Sequence, residues 1–349
     1  MNDASSIHTD GRLARRFAGR EFAITAEIVP PVAGSAEALL AKAGPLKGIV
    51  DAVNVTDGAS ARVHMSSLAS AGILAANDIE PIAQFTCRDR NRIALMSDLL
   101  GAAALGVKAI LVLNGDDPTA GDQPDAKPVF DLTSADLISV AHRMGAEASV
   151  PTVSGPPGRA ITDPPRFLIG AADMPNADGD ERWAAGLEKK IEAGATFIQT
   201  QLCYDLDLLQ RYAERLAERG WADRLNVLVG NGPLLSVKSA LWMRDNLFGV
   251  KIPDAVIARL EGASDPKVEG VRICAEQLQA IAEMPEFAGA HLMSPLNAGS
   301  IPDAVQLADQ SERNQDAGIM DLFGEISAVV DDVDALDAAY DRHMTARPL

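Results

Sequence analysis

A glutamate stands inside an apolar run near the start of the chain, Ile24-Thr25-Ala26-Glu27-Ile28-Val29-Pro30-Pro31. Strand-interior positions of this kind normally carry Val or Ile. A carboxyl placed there loses solvation, which favours its neutral form and suits Glu27 to act as a general acid near neutral pH. The structural alternative is a Glu paired with an Arg or Lys of the fold. Asp116 follows another apolar run, in Asn114-Gly115-Asp116-Asp117-Pro118. It reads either as a turn residue that satisfies its own backbone or as an exposed carboxylate. Gln84 and Gln201 each offer a donor and an acceptor in one plane, which suits the edge of a heterocycle, although lone amides are more often structural. His64 is read as structural. Cys87, Cys203 and Cys274 lie far apart, form no CxxC and have no nearby basic partner. They are expected as reduced core residues in a cytoplasmic protein. No Ser-His-Asp order and no HxxxH is present, which disfavours triad or zinc hydrolysis.

These residues sit at the ends of short apolar, β-branched runs that recur along the chain. The runs start at 22, 50, 80, 108, 166, 195, 225 and 289, so the gaps between starts are 28, 30, 28, 58, 29, 30 and 64 residues. A strand with its crossover helix takes about 30 residues. Five gaps fit one βα unit each and two are about doubled. The stretches between carry apolar residues at helical spacing, as in RNRIALMSDLLGAAALG and DLDLLQRYAERLAERG. Eight such units predict a (β/α)₈ barrel over 21–300. The rival is an open doubly wound sheet, which would call for a glycine-rich phosphate loop after the first strand. EIVPPVAG stands there instead. In a barrel the polar strand ends gather at one mouth: Glu27, Thr56 and Asp57, Gln84 and Thr86, Asn114 and Asp116, Ala172 and Asp173, Gln201 and Tyr204, and Asn231. The Gly-, Pro- and Asp-rich stretch GDDPTAGDQPDAKPVFDL is expected as a long loop over that mouth.

The whole chain sets limits on partners. It has 349 residues, 31 Lys+Arg against 49 Asp+Glu and a formal net charge of −18. Such an excess argues against nucleic acid and anionic membrane as partners, while leaving room for a small anion in a local basic pocket. No signal peptide and no long apolar span is read. Residues 1–20 are expected as an N-terminal extension and 301–349 as an acidic helical extension. Between 301 and 341 eleven acidic residues face one basic residue, Arg313. That tail is read as a solvated face, with a subunit contact as the alternative, and a homo-oligomer is expected.

The ordered motifs AEIVPP, DAVNVTDG, HMSSLA, EPIAQFTCRDRNR, SDLLGAAALGV, LNGDDP, GLEKKIEAGATFIQTQLCYD and IPDAVIARLEGASD resemble the methylenetetrahydrofolate reductase family from about residue 20 to residue 300. The resemblance implies a barrel with FAD at its C-terminal mouth. It implies hydride transfer from NADH or NADPH to flavin, and from flavin to 5,10-methylenetetrahydrofolate, giving 5-methyltetrahydrofolate. Glu27 then matches the acid that protonates N10 of the folate. Asp116 matches the carboxylate that meets the pterin edge close to the flavin. Gln201, with Tyr204, falls in the folate-binding set. Thr56, Asp57, Gln84, Thr86, Asn114, Gly115, Asp116, Ala172 and Lys190 fall in the cofactor-binding set. The chain departs from the pattern where many members carry Tyr, His and Arg and it carries Asp57, Gln84 and Asn114. At the last strand it has Leu296, Asn297 and Ala298 where the family has Leu-Asn-Arg. Losing cations beside a pyrophosphate implies weakly held FAD. Direct nicotinamide-to-folate transfer is the runner-up. A folate-dependent methyltransferase lacks the expected Cys/His cluster, and a noncatalytic subunit would have no need of Glu27, Asp116 and Gln201 together.

Overall fold

The computed structural model describes residues 10–152, 158–175, 181–294 and 298–316. Eight parallel strands close on themselves in sequence order: β1 (Ala23–Ile28), β2 (Ala52–Val55), β3 (Pro81–Thr86), β4 (Ala109–Leu113), β5 (Leu168–Asp173), β6 (Phe197–Leu202), β7 (Asn226–Asn231) and β8 (Gly289–Leu292). Ala23 of β1 pairs with Gly289 of β8 and seals the ring. All eight apolar runs of the sequence are strands, and the (β/α)₈ architecture is as expected.

The helices are α1 (Arg12–Gly19), α2 (Ala36–Ala43), α3 (Ser67–Ala76), α4 (Arg92–Ala104), α5 (Ser134–Ala146), α6 (Glu181–Glu192), α7 (Leu206–Glu218), α8 (Val237–Asn246), α9 (Asp254–Gly262), α10 (Pro266–Ala282) and α11 (Ile301–Asp316). Their starts are written in the sequence. Ser35, Ser66, Asn91, Thr133, Asp205, Ser236 and Asp265 each accept backbone N–H groups as N-caps. The doubled gap before β5 holds the long loop and α5. The doubled gap before β8 holds α8, α9 and α10. At the far end α11 packs along α10. Residues 317–349, which include most of the acidic tail, lie outside the described residues.

Strand alternation sends every second residue into the barrel. The lower layer is apolar: Ala23, Ala52, Ile82, Ala109, Phe197 and Leu228 meet Leu13 and Phe17 of α1. Helix α1 therefore closes the N-terminal end of the barrel. Its first turn has no side-chain cap of its own. The Glu80 carboxylate takes that place, accepting from the backbone N–H groups of Arg12 and Leu13, where it also meets the positive end of the helix dipole. Above the apolar layer the lumen turns polar. Thr25, Asn54, Gln199 and His291 are all buried there.

Candidate active site

Asn54 and Gln199 exchange two amide hydrogen bonds across the lumen, at 2.6 and 3.0 Å. Gln199 Nε2 also donates to Thr25 Oγ1 at 3.3 Å, and Thr25 Oγ1 lies 2.9 Å from His291 Nδ1. Buried polar groups are tolerated when they satisfy one another, and this layer does so. It forms a rigid floor beneath the mouth.

Glu27 stands on that floor, one inward position above Thr25 on β1. Its Oε2 accepts from Gln84 Nε2 at 2.8 Å and lies 3.8 Å from His291 Nε2. The partner is thus an amide and an imidazole, not the Arg or Lys weighed from sequence. The side chain is 23 % exposed, so the carboxyl opens onto the mouth and is less desolvated than its apolar neighbours imply. Gln84 is buried and committed to Glu27.

The corner between β2, β3 and β4 is held by charge. Asp57 Oδ2 accepts from Thr86 N at 2.9 Å and Thr86 Oγ1 at 3.0 Å, and it pairs with Arg90. Arg90 also reaches Asp98 at 2.9 Å. Arg88 is buried; it pairs with Asp89 at 2.7 Å and donates to the Gly58 carbonyl at 3.2 Å. These partners hold the Arg88 guanidinium above its ordinary range, the hydrogen bond to Asp89 contributing most. Gly115 has φ +98, and a Cβ there would meet Arg88 Cβ at 2.8 Å, so glycine is required for the chain to leave β4. Asn114 and Asp116 beyond it are exposed at the rim, and the Asp116 carboxylate carries no hydrogen bond or ion pair among the described residues.

The long loop is tied down on both sides. The Asp122 carboxylate accepts from Val63 N at 3.1 Å, Arg92 grips Asp131 at 2.7 Å, and Val129 N donates to the Arg88 carbonyl at 2.7 Å. Gly121 lies so close to the Ala61 carbonyl that no Cβ fits between them. The loop after β4 and the loop after β2 are therefore bonded and packed directly against each other.

On the far side, Lys190 Nζ donates to the Ala172 carbonyl at 2.6 Å. Asp173 faces outward from β5 and accepts from Tyr212 Oη at 2.7 Å and Trp183 Nε1 at 3.0 Å. Enclosure of that carboxyl pushes its pKa upward. Gln201 donates to the Phe248 carbonyl at 3.0 Å, while its oxygen accepts from Leu202 N at 2.9 Å. Tyr204 is buried, and its hydroxyl donates to the Gly232 carbonyl at 2.6 Å. It lies in the wall of the barrel, and its hydroxyl is occupied. Asn231 is likewise buried and bonded to Gln277. His64 bonds the Arg62 carbonyl at 3.0 Å, away from Glu27. The three cysteines are buried, and burial pushes the Cys87 thiol up to about 11 and the Cys203 thiol up to about 12. Residues 295–297, which include Leu296 and Asn297, lie outside the described residues, as do the side-chain surroundings of Ala298.

Reasoning from sequence missed His291, Asn54, Gln199, Arg88, Arg90 and Phe248. Gln199 and Asn54 could have been found by carrying strand alternation two residues down from Gln201 and Thr56, whereas His291 sits on a strand of four residues that gives alternation little to work with. Phe248 is 84 % exposed after α8 and carries the carbonyl that holds Gln201, a placement that periodicity does not reveal.

The donor set fits a flavin nucleotide in part of its length. Thr56 Oγ1 is buried at the end of β2 with no hydrogen-bond partner, and a ring edge or hydroxyl of a bound cofactor would satisfy it. Lys190 is held by the Ala172 carbonyl and lies near the Asp173 carboxylate, and its ammonium would be the cation for a phosphate on this side. Arg88 and Arg90 are already neutralised by Asp89, Asp57 and Asp98. Among the described residues no group of three His, Cys, Asp or Glu is arranged to hold a metal ion, and no helix is long and apolar enough to cross a membrane.

A family model described as methylenetetrahydrofolate reductase matches residues 12–306. A probable methylenetetrahydrofolate reductase (NADPH) of Caenorhabditis elegans is 22 % identical over 250 residues, covering 70 % of this chain and 34 % of that protein. The match thus spans about a third of that relative. Among solved structures, an uncharacterized protein from Clostridium thermocellum that binds two copies of 5-methyl-5,6,7,8-tetrahydrofolic acid superposes with a TM-score of 0.61 at 14 % identity, covering 86 % of this chain and 99 % of that one. The EDTA monooxygenase of Chelativorans sp. BNC1 superposes with a TM-score of 0.52 at 12 % identity, covering 84 % and 94 %. These structural likenesses concern the barrel alone. The family model, which runs through nearly the whole described barrel and includes Glu27, Asp116 and Gln201, shows that the chain belongs to the methylenetetrahydrofolate reductase family.

Proposed function

We propose that the protein reduces 5,10-methylenetetrahydrofolate to 5-methyltetrahydrofolate with electrons from NADH or NADPH. The observation that carries this is Glu27. A carboxyl stands at the open mouth of a barrel of this family, on a fixed polar floor, with one oxygen held by Gln84 and the side chain open to solvent. Folate binding by the Clostridium thermocellum neighbour agrees with a pterin at such a mouth.

Glu27 protonates N10 of the folate, and the five-membered ring opens to a 5-iminium cation that accepts hydride. Gln84 fixes the rotamer of Glu27, so the proton is delivered along one direction. The free Asp116 carboxylate accepts two parallel hydrogen bonds from the pterin N3–H and 2-amino group. Gln201 shapes the opposite rim and anchors Phe248 over it. Thr56, Ala172 and Lys190 would hold FAD, with Asp57, Thr86, Asn114 and Gly115 forming its near wall. FAD, if bound by these residues, would supply the hydride chemistry between nicotinamide and folate.

The test is an anaerobic assay of the purified protein with 5,10-methylenetetrahydrofolate and either nicotinamide, with and without added FAD. Formation of 5-methyltetrahydrofolate supports the reading. Equal turnover in flavin-stripped protein assigns hydride transfer to the nicotinamide directly. No reduction under any of these conditions overturns it.

A further inference from the structure

Phe248 is the most exposed large apolar side chain among the described residues, yet its backbone is fixed from several sides. It takes the first corner of a tight turn after α8, closed by Val250 N donating to the Leu247 carbonyl at 3.3 Å. Gly249 takes the second corner, with φ +82. A Cβ at Gly249 would run into Met174 Sδ, and it would meet Gln201 Cγ at 3.6 Å, so the turn is seated on the ends of β5 and β6. Gln201 Nε2 donates to the Phe248 carbonyl at 3.0 Å. Just beyond the turn, Lys251 N donates to the Leu202 carbonyl at 3.0 Å, and the Lys251 carbonyl accepts from Tyr204 N at 2.8 Å. Exposed loop tips are ordinarily the mobile parts of a fold. This one carries a bare aromatic ring on a backbone held by four hydrogen bonds.

The seat lies across the mouth from Glu27. Gln199 of β6 and Thr25 of β1 are hydrogen-bonded across the lumen at 3.3 Å. Gln201 and Glu27 are the next inward residues above them on the same strands. They therefore face each other one layer higher, with Phe248 on the Gln201 side. The polar groups of that side are engaged. The Tyr204 hydroxyl donates to the Gly232 carbonyl, and the Gln201 amide is bonded at both ends, to the Phe248 carbonyl and to Leu202 N. What this side offers a ligand is an aromatic face. The other exposed aromatic side chains among the described residues lie elsewhere: Phe130 is in the loop after β4, on the Asp116 side, and Trp242 is within α8.

We propose that Phe248 stacks on the p-aminobenzoyl ring of the folate, with the turn 247–250 as the fixed seat of that contact. N10 is bonded directly to this ring, so a proton passed from Glu27 to N10 arrives one bond away from it. Asp116 takes the pterin edge beyond β4, and the benzoyl ring leaves N10 in the other direction, toward β6. Aromatic pairs attract beyond the area they bury. The contact costs little ordering, because the backbone that carries Phe248 is already fixed and only the side-chain torsions remain to be set. This proposal rests on Glu27 being the acid that meets N10.

The test is anaerobic equilibrium binding of two ligands by the full chain. One is tetrahydrofolate. The other is 6-methyltetrahydropterin, which keeps the pterin and lacks the p-aminobenzoylglutamate. Phe248→Ala is expected to weaken tetrahydrofolate about 3- to 30-fold and to leave 6-methyltetrahydropterin unchanged. Phe248→Tyr keeps a ring and is expected to bind tetrahydrofolate as the wild type does, whereas Phe248→Leu, apolar without a ring, falls between Tyr and Ala. Trp242→Ala removes an exposed aromatic off the seat and is expected to change neither affinity. The Phe248 side chain is 84 % exposed, so unfolding temperatures are expected to agree across the series and separate lost binding from lost fold. Equal affinity of the wild type and Phe248→Ala for tetrahydrofolate overturns the proposal, and reduction of folate by that wild type leaves the proposed reaction standing. Equal weakening of both ligands places Phe248 against the pterin and overturns it, as does Phe248→Leu binding as tightly as Phe248→Tyr. Failure of the wild type to bind tetrahydrofolate overturns the proposed reaction and this contact together.

Discussion

Glu27 meets side chains from two other strands, Gln84 at 2.8 Å and His291 at 3.8 Å. Glu27→Gln keeps an amide-to-amide contact with Gln84, so the fold and nicotinamide oxidation are expected to persist while folate reduction falls ~10²–10⁴-fold. Stopped-flow kinetics of the two half-reactions separate these steps, and unimpaired folate reduction would remove Glu27 from the mechanism. Asp116→Asn removes one of two acceptors at the rim. Folate affinity is expected to weaken by roughly 1–3 kcal/mol, read by titration with 5-methyltetrahydrofolate. An unchanged affinity would reduce Asp116 to a turn residue. At this scale the sequence was partly legible. Glu27 and Asp116 stood out because a carboxylate beside an apolar run is conspicuous. His291 did not, since the last strand is four residues long and GAHLMSP gives alternation little room to speak. Tyr204 was drawn into the substrate set by its position after β6, yet its hydroxyl is spent on the Gly232 carbonyl.

Elements meet at two junctions whose chemistry can be probed. The first is Asp173, which fastens α6 and α7 to the end of β5 through Trp183 and Tyr212. Asp173→Ala leaves a phenol and an indole N–H without their acceptor, at a cost of about 1–3 kcal/mol for each group. Thermal or urea unfolding measures the loss. The same carboxyl has a pH signature. Its pKa is raised above 3.8 by enclosure, so the folded chain keeps this proton where the unfolded chain has released it. The associated stability is complete below 3.8 and is lost as pH rises through the folded value. Asp173→Asn should flatten that part of the melting-temperature profile. The second junction is Gly121 against the Ala61 carbonyl. Gly121→Ala must push the two loops apart, and folate affinity is expected to fall with little change in unfolding temperature. Equal affinity would show that the loops do not shape the mouth. The long loop was legible in its Gly, Pro and Asp content. Its ties through Asp122, Asp131 and Gly121 were not, because each depends on a partner tens of residues away.

The whole molecule was the most legible scale. Eight apolar runs at near-constant spacing became eight strands in a closed ring, since a parallel sheet buried on both faces must be written in apolar residues. Charge is where the whole decides a local outcome. With a formal net charge of −18, Arg88 and Arg90 beside the mouth are already matched by carboxylates. A flavin diphosphate then meets Lys190 as its cation without a carboxylate partner in hydrogen-bond contact. FAD is expected to be partly lost on dialysis, because each missing charge-assisted hydrogen bond is worth roughly 1.5–3 kcal/mol, or one to two decades in affinity. Stoichiometric yellow protein after extended dialysis would contradict this. One feature bears on how the protein can be handled. Helix α1 stoppers the barrel from below, with Leu13 buried and its first turn pinned by Glu80. A tether attached just ahead of Asp10 would leave from the base, opposite the mouth. Molecules fixed to a sensor surface through such a tether would be attached at the end away from the mouth, which leaves the mouth accessible to the flowing solution.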